Sequence, residues 1–226
     1  MTNIKLITVT NAPEHAEVLR RSAELHGWEF VCLEVEWKGF GTKLIETYNY
    51  LKEHPEVERF VFADAFDVVV FGTPEEFERK LPSNDGFVFN AERGLWPPSM
   101  EPYRELFGDT QMGFNYLNSG CYFAERKPFI SMLESHPINY SDDDQMYFIE
   151  RYVSGYGGFI LDTNQKVFNC HSFIREGEYA YIQYMDEYNR KFGGNIEIMG
   201  NKPIFVHSNG RTVDPQLDEL VKNMLA

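Results

Sequence analysis

Residues 60–70 read Phe-Val-Phe-Ala-Asp-Ala-Phe-Asp-Val-Val-Val, an apolar run broken by two carboxylates. A continuous apolar run reads as a strand buried on both faces, as in a parallel sheet. Asp64 and Asp67 fall where that strand should end. Taking an isolated carboxylate out of water costs several kcal/mol, so the pair needs a partner. A divalent cation supplies one. Oxygen ligands from Asp suit Mg²⁺ or Mn²⁺, and a metal held this way bridges to substrate phosphates. An Asp-x-x-Asp alone also fits a helix cap and a turn residue; the apolar flanks favour the metal.

Around this run, strand-like and helix-like segments alternate. After a first strand over residues 4–10, residues 12–26 fit a helix with Asn11 as N-cap, Pro13 in the first turn and Gly27 at the end. Residues 29–33 resemble a strand, 39–42 a glycine-containing loop and 43–52 a helix. Further on, Pro74–Lys80 reads as a short helix, 86–90 as a strand, and 116–124 as a strand interrupted at Ser119-Gly120. Residues 127–134 and 142–152 fit helices, the second opening on three acids where the helix dipole favours negative charge. Short strands at 159–161, 167–169 and 204–206 and a helix at 215–225 complete the pattern. The β-α-β-α opening predicts an α/β fold, with a mostly parallel central sheet and helices on both faces. No linker divides the chain, so one domain over 1–226 is expected. Ligands of such sheets bind beyond the carboxyl ends of the strands, where Thr8, Thr10, Asp64 and Asp67 all fall.

Residues 204–210, Ile-Phe-Val-His-Ser-Asn-Gly, repeat the form of the first candidate: a short apolar strand, then polar residues. His207 fits a core histidine with a satisfied ring. It also fits a metal ligand, with Asn209 and Gly210 permitting a tight turn whose amides face an anion. Two carboxylates and an imidazole leave coordination positions for diphosphate oxygens and water. Asp142, Asp143 and Asp144 precede Gln145. Capping explains one or two of these acids, and a surplus carboxylate can hold ligand hydroxyls or act as a base. Gly39 and Gly41, followed by Lys43, can cradle a phosphate at a helix N-terminus, although the spacing is not that of a P-loop. Trp96 can pack on a sugar face or cover a core edge, and Phe66 can stack on a base or belong to the core. The sequence has no Gly-x-Ser-x-Gly elbow, no His-Glu-x-x-His pair, and no Gly-x-Gly-x-x-Gly after the first strand.

Lys and Arg number 21 against 35 Asp and Glu, a net charge of -14. That balance disfavours non-specific binding to nucleic acid or anionic membrane, while leaving room for a local basic groove. Cys32, Cys121 and Cys170 lack metal-type spacing, and their sparse number suggests a reducing compartment. The chain starts directly in a strand-like segment and has no apolar run near the roughly 20 residues that span a bilayer. A soluble, cytoplasmic protein is expected.

Taken in order, these segments resemble the glycosyltransferase domain of procollagen lysyl hydroxylases and, more loosely, other GT-A transferases. The segments are Thr8-Val9-Thr10, Gly41-Thr42-Lys43, Phe62 to Val68, Ala91-Glu92 with Trp96-Pro97, Leu117-Asn118-Ser119-Gly120, Asp142 to Gln145, and Val206 to Thr212. The resemblance implies a GT-A fold, a UDP-sugar donor (glucose or galactose) and Mn²⁺ or Mg²⁺ held by Asp64, Asp67 and His207. It places Thr8, Thr10, Lys43, Phe66, Trp96, Asn118, Asn209 and Gly210 around the donor and Asp142, Asp143 and Asp144 at the reacting sugar. Retention of anomeric configuration is implied. Phe66 stands where the family has Tyr, which removes a hydroxyl and keeps a ring for stacking. The segments cover the transferase domain only, so a collagen acceptor is not implied. Two alternatives are a nucleotide-sugar binding protein without transfer activity and a transferase acting on hydroxymethylated DNA bases.

Overall fold

The computed structural model describes residues 4–83, 86–110, 113–170 and 201–209. The strands are β1 (Ile4–Thr10), β2 (Glu29–Glu34), β3 (Arg59–Ala63), β4 (Val68–Val70), β5 (Phe87–Glu92), β6 (Tyr116–Glu125), β7 (Phe159–Leu161), β8 (Phe168–Cys170) and β9 (Phe205–His207). The helices are α1 (Glu17–Leu25), α2 (Thr42–Glu53), α3 (Pro74–Lys80), α4 (Arg126–Ser135) and α5 (Asp144–Val153). Short 3₁₀ segments lie at Pro13–Ala16 and Pro98–Leu106.

Six strands form one sheet in the order β2-β1-β3-β6-β5-β7. β1 is parallel to β2 and β3, β5 is parallel to β7, and β6 alone runs against its neighbours β3 and β5. The mostly parallel α/β sheet is therefore as expected. Its alternating residues feed two cores. Phe60, Phe62, Phe87, Phe89 and Tyr122 pack with Phe129 of α4 and Phe148 of α5. Val61, Ala63, Val88 and Phe123 turn the other way, towards Leu19 of α1 and Phe77 of α3. A strand with both faces in a core must be apolar throughout, which explains the run at 60–63.

The run does not continue as one strand. The chain leaves the sheet at Ala63, turns through residues 64–67, and enters a second sheet ordered β4-β9-β8. Each of its strands is three residues long, too short to carry a readable period. The second sheet is consequently the main element that patterning does not anticipate.

Smaller departures matter for the site. Asn11 caps nothing; the hydroxyl of Thr10 accepts the Ala12 amide at 3.0 Å instead. β5 extends beyond Asn90 to Glu92, and β8 and β9 lie one residue later than the pattern suggests, bringing Cys170 and His207 into register. β6 is continuous through Ser119-Gly120, but its pairing with β5 jumps from Phe89↔Tyr122 to Asn90↔Asn118, so residues 119–121 bulge. Helix α5 begins at Asp144, with only Asp143 as its cap. The expected helix at 215–225 lies outside the described residues.

The turn from β7 into β8 is held by two buried side chains, Asp162 and Gln165. Asp162 accepts the amides of Lys166, Val167 and Phe168 at 3.0, 2.7 and 2.9 Å. Losing a buried charged acceptor costs about 2–3 kcal/mol, more than the ~1 kcal/mol of an ordinary helix cap. Asp162→Ala should therefore lower unfolding free energy in urea by more than Thr73→Ala, which breaks the capping box of α3.

Candidate active site

The site forms where the two sheets meet. Asp64 follows β3, and its amide donates to the Gly120 carbonyl of β6 at 2.8 Å. Asp67 precedes β4, and its carbonyl accepts the Ser208 amide at 2.8 Å. His207 closes β9 opposite Val68. These backbone bonds bring three ligand atoms, one from each of Asp64, Asp67 and His207, within 4.8 Å of one another. His207 Nε2 lies 3.3 Å from Asp67 Oδ1 and 4.0 Å from Asp64 Oδ2. On its other side, Nδ1 lies 2.9 Å from Asn118 Oδ1.

The imidazole reaches this position because residue 120 has no side chain. A Cβ on Gly120 would overlap the His207 ring, standing 2.7 Å from Nδ1 and 2.8 Å from Nε2. The bulge of β6 is thus the seat of the histidine.

The site is electrostatically crowded. Lys43, at the start of α2, is buried with its ammonium 2.7 Å from Asp64 Oδ1 and 3.5 Å from Asp144 Oδ2. Burial works to lower its pKa, but the charges of Asp144, Asp64 and Asp67 outweigh that and leave it raised. Burial pushes the Asp64 carboxyl upward against the pull of Lys43. His207 behaves like Lys43: burial opposes its charge, and Asp67 followed by Asp64 and Glu92 raise its pKa overall. A buried set of two carboxylates and an imidazole with surplus negative charge fits Mn²⁺ or Mg²⁺.

These residues line a cleft of about 890 Å³. Thr10, Lys43, Phe66, Trp96, Asn118, Asp143, Asp144 and Asn209 line it as well. Thr8 does not. It is fully buried, its hydroxyl donating to the Ala63 carbonyl at 2.7 Å, so it fixes the end of β3. Asp142 also stands apart: exposed, it accepts the Asn139 amide at 2.8 Å and closes the loop before α5. Gly210 lies outside the described residues. Gly39 and Gly41 cradle no phosphate; side chains there would strike the carbonyls of Tyr140 and Asn139, and the Gly41 amide donates to Tyr140 O at 3.1 Å. Their role is to let two loops meet and carry Lys43 and Asp144 to the same wall.

A family model described as the PLOD GT domain matches residues 2–225. The chain belongs to the PLOD glycosyltransferase-domain family. An uncharacterized protein of Acanthamoeba polyphaga mimivirus is 27% identical over 190 residues, which is 81% of this chain and 38% of that protein. The multifunctional procollagen lysine hydroxylase and glycosyltransferase LH3 of Homo sapiens is 26% identical over 165 residues, 66% of this chain and 22% of that protein. The chain therefore spans well under half the length of these relatives. Among solved structures, a glycosyltransferase involved in glycosylation of the PBCV-1 major capsid shares the fold at a TM-score of 0.53 and 13% identity, covering 99% of both chains. The WbbM bifunctional enzyme does so at 0.55 and 14%, covering 98% of this chain and 49% of its own. The expected GT-A fold and transferase family are thereby shown.

In this transferase domain no role was expected for Glu92 or Gln145, and Gly120 stood out only as an interruption of a strand and as part of a matching segment. Glu92 ends β5, an apolar strand closing on a carboxylate, which is the same signal that singled out Asp64. It is buried and accepts from Asn118 Nδ2 at 3.3 Å, Gln145 Nε2 at 2.8 Å and Asn209 Nδ2 at 2.8 Å. Burial pushes its pKa to about 7 despite those donors. Trp37, Phe40 and Arg104 also line the cleft, and no pattern in the sequence marks them.

Two outcomes follow from this geometry. Gly120→Ala should destabilise the fold by about 1–3 kcal/mol through overpacking, whereas Gly94→Ala, where a Cβ meets nothing within 4 Å, should be nearly neutral in the same denaturation assay. Native Glu92 holds its proton more tightly than the unfolded chain, whose ordinary value is 4.5. Native stability should then fall as pH rises from 4.5 towards 7, by up to about 3 kcal/mol. Urea unfolding across that range should show the decline in the wild type and its loss in Glu92→Gln.

Proposed function

We propose that this domain is a metal-dependent, retaining hexosyltransferase that moves glucose or galactose from a UDP-sugar to an acceptor hydroxyl. The observation that carries the reading is the convergence of Asp64, Asp67 and His207 on one wall of the cleft. A Mn²⁺ or Mg²⁺ ion held by these three residues would neutralise charge on the departing diphosphate. Its volume of about 890 Å³ suits a ligand of nucleotide-sugar size.

The chain's own groups do the positioning. Phe66 is 38% exposed, packed edge-on against His15 at 5.4 Å, and offers a ring face at the metal loop for a base. Trp96 is 55% exposed, with its carbonyl held by Gln145 Nε2 at 2.9 Å, and offers a flat surface to a sugar. Lys43 places a fixed positive charge between Asp64 and Asp144. Held groups of this kind lower the barrier by orientation and preorganised charge.

Retention is supported by the condition of the acids. Inversion requires a carboxylate within reach of the acceptor hydroxyl to take its proton. Asp142 is off the cleft, Asp143 accepts the Met146 amide at 2.8 Å, and Asp144 faces the Lys43 ammonium. The last two are better placed to hold sugar hydroxyls.

Calorimetry should detect UDP binding that strengthens with Mn²⁺. Asp64→Ala, Asp67→Ala and His207→Ala should each reduce transfer by about 100-fold or more while remaining folded. Metal-indifferent UDP binding would defeat the reading. UDP binding without transfer or donor hydrolysis would favour a binding protein. A β-linked product from an α-linked donor, seen by NMR, would overturn retention.

A further inference from the structure

The loop between β2 and α2 is short and firmly held. Gly39 takes a φ of 133°, the Lys38 amide donates to the Thr42 hydroxyl at 3.1 Å, and the Gly41 amide donates to Tyr140 O. Between the two glycines this loop presents Phe40 to the cleft with 54% of its surface exposed. Trp37, half-buried and also on the cleft, stands perpendicular to the Phe40 ring at 5.9 Å. A large apolar ring left in water gains the fold little. Held in place beforehand, it suits a ligand, because the ordering cost of binding is already met.

Its position ties it to the reacting groups. The Lys43 ammonium lies 5.6 Å from the Phe40 ring centroid, 2.7 Å from Asp64 Oδ1 and 3.5 Å from Asp144 Oδ2. Residues 39–41 abut residues 139–141 just before α5, and Trp96 is tied to the same helix start through Gln145. Three aromatic surfaces thus line the cleft: Phe66, Trp96, and Phe40 with Trp37. A UDP-hexose has two six-membered rings to lay against them, its base and its sugar. One surface is left over.

We propose that Phe40, backed by Trp37, forms an acceptor subsite that takes a pyranose ring, so that the acceptor is a saccharide. The inference rests on the transferase reading above and names the acceptor class which that reading leaves open. A sugar needs an apolar face under its C–H groups and acceptors for its hydroxyls, and Asp143 and Asp144 supply the acceptors in the same cleft. A polyanion such as DNA would meet those acids and a chain charge of -14. An ammonium-bearing acceptor would have to share the acids with Lys43, which already holds Asp64 and faces Asp144. Transfer breaks the bond between the anomeric carbon and the diphosphate oxygen and forms one to an oxygen of the acceptor sugar. The proton of that hydroxyl leaves with the departing UDP.

The full chain, supplied with Mn²⁺ and UDP-glucose or UDP-galactose, should transfer to methyl glycosides of glucose, galactose, mannose or xylose. A hydroxylysine-containing peptide and a hydroxymethylcytosine oligonucleotide serve as the competing acceptors. Phe40→Ala and Phe40→Leu, at an exposed position, should fold as the wild type does. Each should raise the glycoside KM by about 10- to 100-fold, the scale of losing a ring at a binding hot spot, and Phe40→Tyr should restore it. UDP affinity in calorimetry should not change in these variants. Saturation-transfer NMR with the same glycosides reads binding apart from turnover, and its signal should be lost in Phe40→Leu. Use of the peptide or the oligonucleotide with no glycoside bound overturns the inference. So does an unaltered glycoside KM and NMR signal in Phe40→Leu, or a loss of UDP affinity there, which would make the ring a donor contact. If UDP binding is absent or indifferent to Mn²⁺, the transferase reading fails, while saturation transfer to the glycosides in the free protein still judges the subsite.

Discussion

Like charges packed into a dry volume repel, and this chain places Asp64, Asp67 and Asp144 together beside its sheet. The rest of the site is arranged around balancing them. Lys43 is drawn into the interior from the start of α2, and His207 is held with a raised pKa by the same acids. Neither cation would be stable at that depth without the carboxylates, and the carboxylates need the cations as much. A divalent ion held by these ligands would add positive charge beside the imidazole and so favour loss of a ring proton.

Charge balance sets which residues gather; amide polarity sets how they face. Around Glu92, Asn118, Gln145 and Asn209 donate inward, while the backbone amides of Gly120 and Ser119 hold the oxygens of Asn118 and Gln145, so acid and bulge together fix how these amides face. Such a network is costly if a single member is reversed, because low dielectric strengthens a matched contact and penalises an unmatched one alike. The bulge at 119–121 serves this network too, offering the amides of Ser119 and Gly120 to Gln145 and Asn118.

Most of the fold and the metal candidates were legible because the physics behind them is local. Residues 60–63 face two cores, and burial on both sides demands an unbroken apolar string. Asp64, Asp67 and His207 stood out as polar groups where such strings stop. What escaped reading depends on long-range contact. β4 is not separable from the apolar run before it, and β8 and β9, read one residue early as isolated strands, join it in a second sheet through pairing between segments distant in sequence. Thr8 and Asp142 have the right chemistry, and only their partners, Ala63 and Asn139, show that they are engaged elsewhere. Gly39 and Gly41 resembled a phosphate loop since glycine permits any close approach, whether of an anion or of another backbone. Glu92 gave a signal of the same kind as Asp64, yet its meaning lies in three amides distant in sequence.

The contact of Gly39 and Gly41 with Asn139 and Tyr140 bears on how the cleft can diversify. Backbone meets backbone there, with Tyr140 also donating its hydroxyl to Glu46 of α2 at 2.9 Å. Side chains on this wall have no room to grow without parting Lys43 from Asp144. Elsewhere along the cleft, residue 94 has open space around it and Trp96 is largely exposed. On the proposed reading, changes in acceptor preference, by natural drift or directed libraries, should therefore accumulate at residues 94 and 96, since Leu95 between them belongs to the core and the meeting of the two backbones is an inherited constant.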